Sequence, residues 1–253
     1  MAQRRIALVS DTHGNAVGFD AVLAELGAQS FDEIICLGDV AQGGPQPAEC
    51  VDRLRELGCR CVFGNSDEFL LTLDPGTAEA GHLDEEQLAR LLSVGRWSQE
   101  QLGRERLDVL RGFEPTVEVE LDGGGHLLCF HGSPSSNEDV VLPDTDRADV
   151  QRMIGDHRAD VYAGGHVHLQ WLRRLGRAVW LCAGSAGMAW EHGVPNDELR
   201  FDPWAEYALL SSDGGRLAVE FRRVPFDGER VRRAIRESGM PAREWYVEMW
   251  TSR

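Results

Sequence analysis

The strongest constraint on this chain is an alternation: short apolar runs, each ending in a polar or glycine-rich loop, are followed by stretches with apolar side chains at helical spacing. Residues 5–10 read as a strand. Residues 16–28 read as a helix with Val17, Val22, Leu23 and Leu26 on one face, closing at Gly27. The unit repeats, with a strand over 33–37 ending in Gly38-Asp39, a helix over 47–57 closing at Gly58, and a strand over 60–63 ending in Gly64-Asn65. Strand, helix and strand in this order imply right-handed crossovers and an α/β fold with a largely parallel sheet, whose functional groups gather at the carboxyl ends of the strands.

From residue 66 to 112 the strand signal stops, and segments 84–93, 96–102 and 104–111 are helix-like, which reads as a helical cap insertion. Strands return at 116–121, where Val117, Val119 and Leu121 alternate with Glu118 and Glu120, and at 127–130 beyond a Gly123–Gly125 turn. A loop over 131–143, a helix over 146–157 and strands over 160–163, 171–175 and 178–182 come next. A hairpin over 207–222, a helix over 228–238 and an aromatic tail with Trp245, Tyr246 and Trp250 close the chain. With no repeat or linker, residues 1–253 read as one domain, of which 204–253 form the C-terminal part.

Composition removes several classes of function. The longest apolar runs, such as 34–37 and 127–130, fall far short of the roughly 20 residues of a membrane span. The apolar run at 6–9 is too short for a secretory signal. A cytoplasmic protein without a membrane partner is therefore expected. The six cysteines read as free thiols of a reducing compartment, and Cys59 and Cys61 as core packing, since no second pair completes a zinc site. With 42 acidic residues against 26 arginines and no lysine, the net charge of -16 disfavours long nucleic acids. The absence of lysine also excludes a phosphate-loop lysine and Schiff-base chemistry.

Each strand end carries a residue type that binds metals: Asp11 and His13, Asp39, Asn65, His131, then His166 and His168. In extended chain, residues two apart face the same way, so Asp11-Thr-His13 and His166-Val-His168 can each send two ligands into one cavity. Carboxylate, imidazole and amide oxygen together suit Mn, Fe, Zn or Co better than Ca. Two such ions about 3.5 to 4 Å apart would clamp a phosphoryl group and activate a water. They would also give this acidic chain a local cationic centre.

In this order, Asp11-x-His13, Gly38-Asp39, Gly64-Asn65, His131-Gly132 and Gly165-His166-Val-His168 resemble the signature of the calcineurin-like metallophosphoesterases, over about residues 4–190. The wider phrases Ser10-Asp-Thr-His-Gly-Asn15 and Cys36-Leu-Gly-Asp-Val40, with Gly44-Pro45, resemble the smaller bacterial and archaeal branch related to the YfcE-like phosphodiesterases. The resemblance implies a four-layer α/β/β/α sandwich of two mixed sheets. It implies one metal on Asp11, His13, Asp39 and His168, a second on Asn65, His131 and His166, and Asp39 bridging both. It further implies catalysis by a metal-bridging hydroxide held among Asp39, Asn65 and His131, with Mn the expected ion in vitro.

Many members carry a histidine after the asparagine, thought to protonate the leaving oxygen; here Ser66 stands there and is no acid near neutral pH. Small phosphodiesters or anhydrides with good leaving groups are therefore the expected substrates, with Asp67, His82 or the substrate itself as the other sources of a proton. A phosphomonoesterase, nucleotide or protein phosphatase is the alternative reading, and a non-catalytic metal-binding scaffold the second.

The remaining candidates read as structural. His131 is preferred to His126, which precedes its strand, and His82, His157 and His192 read as surface or helix residues. Asn15 is expected as a helix N-cap, Gly184–Gly187 as a structural turn, and residues 230–236 as the solvated face of a helix. Trp245 and Trp250 are expected either to cover the chain's own sheet or to anchor a homo-oligomer.

Overall fold

The computed structural model describes residues 3–74, 83–194 and 198–250. In β1 (Arg4–Val9), Ile6 and Leu8 turn to one face and Ala7 and Val9 to the other, and all four are buried. A strand apolar on both faces belongs inside a layered sheet. β1 pairs in parallel with β2 (Glu33–Cys36), which pairs in parallel with β3 (Arg60–Cys61). On its other side β1 runs antiparallel to β9 (Trp204–Asp213), and β9 to β10 (Arg216–Pro225). This gives a first sheet in the order β10-β9-β1-β2-β3. The second sheet contains β4 (Val117–Glu120), β5 (His126–Cys129), β6 (Val161–Gly164), β7 (Gln170–Leu175) and β8 (Ala178–Ala183), in the order β4-β5-β6-β8-β7. Its three inner strands are parallel and its two edges antiparallel.

Between the sheets, Ile6, Leu8, Ile35 and Leu37 meet Val119, Leu127, Val161 and Leu181. The outer face of the first sheet carries α1 (Ala16–Gly27), α2 (Pro47–Leu57), α3 (Asn65–Thr72) and α4 (Glu85–Arg111), which bring Phe19, Val51, Leu70, Leu102 and Leu110 onto Ala7, Val9 and Cys36. The outer face of the second sheet carries α5 (Arg147–Ile154), whose Val150 joins Phe130, Tyr162 and Trp180. The architecture is thus the α/β/β/α sandwich of two mixed sheets. All six cysteines are free, and no described helix is long and apolar enough to cross a membrane.

Local chemistry sets the element ends. Asn15 caps α1, its Oδ1 accepting from the Gly18 amide at 3.1 Å, and Asp84 and Gln87 form a capping box at the start of α4. The three helix-like segments expected over 84–111 form one element with a kink at Gly103 (φ 61, ψ 177), which packs in the helical layer through Leu102 just before the kink and Leu110 after it. β3 is shorter than its apolar run, because Val62 and Phe63 meet Glu114 in the loop before β4 instead of a strand. β9 begins earlier than expected because the buried Glu206, which breaks the apolar pattern, is matched by Arg223 at 2.8 Å on the partner strand.

Two short helices close the chain, α6 (Gly228–Ser238) and α7 (Arg243–Met249). Trp250 fastens them to the body: it is 3% exposed, with its ring 5.4 Å from Phe201 and 5.8 Å from Phe226. Leu8→Ala, in the layer between the sheets, is expected to cost about 2 to 5 kcal/mol, read as a lower urea midpoint at unchanged slope.

Candidate metal centre

Because β1, β2 and β3 are parallel, their carboxyl ends share one rim of the first sheet, and β5 and β6 share the facing rim of the second. Asp11 and His13 follow β1, Asp39 follows β2, and Asn65 opens α3. His131 follows β5, and His166 and His168 lie between β6 and β7. The candidate ligand atoms of Asp11, His13 and His168 lie within 4.8 Å of one another, as do those of Asp39, His131 and His166. Asp39 Oδ2 stands between the two groups, 3.6 Å from His13 Nε2 and 3.3 Å from His131 Nε2. Asn65 Oδ1 is 3.0 Å from His131 Nε2. All seven residues singled out in the sequence therefore meet at one place.

They do not meet by the pleat of extended chain. Asp11, His13, Asp39, His166 and His168 have φ values of 55, 45, 57, 70 and 53°, in the left-handed region. Left-handed backbone costs an L-residue about 1 to 2 kcal/mol, and Asp and His are among the non-glycine types that tolerate it best. Ligand pairs two residues apart converge through strained turns, and the surroundings hold the strain. The amides of Asp11 and His13 donate to the carbonyls of Gly38 and Asp39, both at 3.0 Å. The turn after β8 braces the same loop, with the Gly187 amide and the buried Ser185 hydroxyl donating to the Asp11 carbonyl at 3.0 and 2.8 Å. Glycine is required where the rims touch: a Cβ on Gly64 would lie 2.1 Å from Asp39 Oδ1, and one on Gly165 would lie 1.9 Å from Ser10 Oγ.

The rings are oriented by their far nitrogens. Nδ1 of His13, His131 and His168 lies 2.8, 2.7 and 2.6 Å from the carbonyls of Gln42, Leu37 and Met188, so each donates outward and turns Nε2 inward. Nε2 of His13 and Nε2 of His168 then face each other at 3.0 Å. Asp11 Oδ1, 3.3 Å from His168 Nε2, is buried without a hydrogen-bond donor. Lone pairs and carboxylate charge crowd together with nothing between them but what binds there, and a divalent cation of the imidazole-and-oxygen class fits. Protons are drawn to the same place. Burial opposes charge on His13 and His131, yet the carboxylates of Asp11 and Asp39 push these imidazoles up to about 9 and about 10. Burial also acts against Asp11 and Asp39, but the facing histidines hold both carboxyls well below their usual range. Burial and the charge of His131 push His166 down to about 4.

Two further residues take parts in the structure that pattern alone does not show. Asp67 is fully buried, and its carboxylate accepts from the amides of Asp39 and Val40 at 2.9 Å and of Gly64 at 3.1 Å, tying the loops after β2 and β3 together. Burial and the charge of Asp39 push it up to about 7. An acidic residue in the first turn of a helix looks like an ordinary dipole partner, so its only signal was its place two residues after Asn65. His192, read from sequence as a surface or helix residue, accepts from Trp190 Nε1 at 2.6 Å, and the Trp190 ring lies 5.6 Å from that of His168. His126 stays outside the site with His157, whose carbonyl accepts from the Tyr162 hydroxyl; His82 lies outside the described residues.

Protons and cations compete for the same nitrogens, so metal uptake at pH 7 is expected to release about two protons, from His13 and His131. Since protons must leave, affinity should rise with pH up to about 9 to 10, measured by calorimetry in buffers of different ionisation enthalpy. Asp67→Asn removes no ligand but leaves one of the three amides facing an NH2 group. It is expected to weaken metal binding by about 10- to 100-fold in a chelator competition.

Comparison with known proteins places this geometry. Residues 5–200 match the calcineurin-like phosphoesterase superfamily domain. The chain is 28% identical to an uncharacterised protein of Methanocaldococcus jannaschii over 98% of both chains. Among solved structures it resembles a metallophosphoesterase from Sphaerobacter thermophilus, with 26% identity, 97% of each chain covered and a TM-score of 0.72. It also shares the fold of a hypothetical protein from Pyrococcus horikoshii, with 18% identity, 98% of each chain covered and a TM-score of 0.77. With a family match across most of its length and metal-ligand types at each strand end of the rim, this chain belongs to the calcineurin-like phosphoesterase superfamily.

Proposed function

We propose that this metal-dependent phosphoesterase works with two ions and hydrolyses small phosphodiesters in preference to monoesters. The observation that carries the dinuclear reading is the position of Asp39 Oδ2 between the two ligand groups, 3.6 and 3.3 Å from an imidazole of each. On this reading Asp11, His13 and His168 would hold one ion, Asn65, His131 and His166 the other, and Asp39 would touch both. When bound, such a pair lowers the pKa of a water and stabilises charge developing on the phosphoryl oxygens.

The preference for diesters rests on the two residues after Asn65. The Ser66 amide and hydroxyl both donate to the Asp39 carboxylate, at 2.9 and 2.8 Å, so the hydroxyl is committed to orienting that side chain. Asp67 points into the protein and holds backbone amides, so it does not reach a leaving oxygen. Without an acid at these positions, the loss of a contribution of roughly 100- to 10,000-fold falls hardest on monoesters, whose loose transition state puts more negative charge on the leaving oxygen than that of a diester with the same leaving group.

With Mn supplied, a bis-aryl phosphodiester is expected to be hydrolysed at least roughly 10-fold faster, by kcat/KM, than the monoester of the same phenol. A faster monoester would overturn the preference. Ser66→His is expected to shift the ratio towards the monoester. Asp39→Asn should reduce hydrolysis of both by roughly 100-fold or more, with less Mn retained per chain by elemental analysis.

A further inference from the structure

Asn65 and His166 of the candidate metal centre also line a cleft of about 610 Å³. Such a volume lies in the range that encloses a small organic molecule and is far more than a phosphoryl group fills. Its walls come from three parts of the chain: Leu83 and Leu91 at the start of α4, Val140 in the loop after His131, and Trp245 and Tyr246 on α7. These side chains are aliphatic or aromatic, and two remain open to solvent, Val140 at 55% and Trp245 at 37% exposure. Apolar side chains gathered beside metal ligands, where water would be expelled by a ligand, mark a binding surface.

The aromatic wall is fixed before any ligand enters. Trp250 anchors the end of α7 in the core, the Tyr246 ring stands edge-on to Trp245 at 4.8 Å, and the Arg90 guanidinium lies 4.3 Å over the Trp245 ring. Polar groups that could read a sugar or a base edge are few. Gln87 accepts the Asp84 amide at 2.9 Å through Oε1 and keeps its NH2 group, the Arg90 guanidinium lies over the Trp245 ring, and Glu138 is the one carboxylate among the described lining residues. A site that recognised a nucleoside would need several directed donors and acceptors.

We propose that this cleft holds the organic group of the substrate ester, and that this group is apolar and aromatic, an aryl substituent packed against Trp245, Tyr246, Leu91 and Val140 while its phosphoryl group faces the metal centre. This inference rests on the phosphoesterase reading and adds the substrate class. The aromatic tail is then a wall of the site.

Binding of non-hydrolysable phosphonates to the Mn-loaded protein tests the cleft without using turnover. Naphthyl phosphonate is expected to bind at least roughly 10-fold more tightly than methyl phosphonate by calorimetry, because only the former buries apolar surface. Trp245→Ala should reduce that ratio by about 5- to 30-fold. Val140→Asp, at a half-exposed rim position, should also lower the ratio if Trp245→Ala fails to fold. Equal affinity for the two phosphonates, a ratio unchanged in every variant that folds, or tighter binding of a nucleoside phosphonate than of the naphthyl one would overturn the proposal. Naphthyl selectivity with no hydrolysis of any ester would support the cleft and overturn the phosphoesterase reading. Hydrolysis with no selectivity would overturn the cleft alone.

Discussion

Nε2 of His13 and of His168 face each other at 3.0 Å beside the buried Oδ1 of Asp11, 3.3 Å from His168 Nε2, and this crowding of lone pairs requires shared positive charge. Much of the surrounding structure serves to keep that crowding in place. Three backbone carbonyls fix the histidine tautomers from behind, Asp67 ties two strand-end loops, and the turn after β8 braces a third. Left alone, each group would rotate away or be solvated. The sandwich prevents this because the ligands sit on backbone whose conformation is fixed by packing on both sides.

The acidic balance of the chain takes on a different meaning in this setting. With a net charge of -16, the surface offers phosphate no general attraction, so recognition has to be local. A cation held among the seven side chains would supply that local charge. The neighbouring cleft is mostly apolar, which suits an ester carrying little charge beyond its phosphoryl group.

The seven residues that meet at the rim were legible in the sequence because they obey a simple rule: side chains of metal-binding type stand where strands end, as Asp11, His13, Asp39, Asn65, His131, His166 and His168 do. The way they converge was not legible. Alternation in extended chain suggested the right partners for the wrong reason, since the ligand backbone is left-handed at five positions, and such conformations leave no periodic mark. Asp67 was visible as a possible proton source, but its part in tying two loops was hidden, because a buried acid in a first helical turn shares its sequence context with countless exposed ones. The tail aromatics were visible, but which of them faces the core is decided by tertiary packing: Trp250 inserts between Phe201 and Phe226, while Trp245 stays at the cleft. The hidden start of β9 has the same origin, since Glu206 becomes tolerable in the interior only through Arg223 on the next strand.

The distribution of ligands over two sheets has a mechanical consequence. Asp11 and His13 belong to the rim of the first sheet and His168 to that of the second; the interior contacts between the layers are non-directional apolar packing, with hydrogen bonds such as Arg4 to the Glu120 carbonyl and Gln170 to the Tyr207 carbonyl towards the sheet edges. A cation gripped by all three would act as a rivet at one edge of the sandwich, resisting the sliding of one sheet over the other that apolar packing alone permits. Removing it would loosen the two layers first along that edge, so the same ion that is placed for chemistry would also set how stiffly the sandwich holds together.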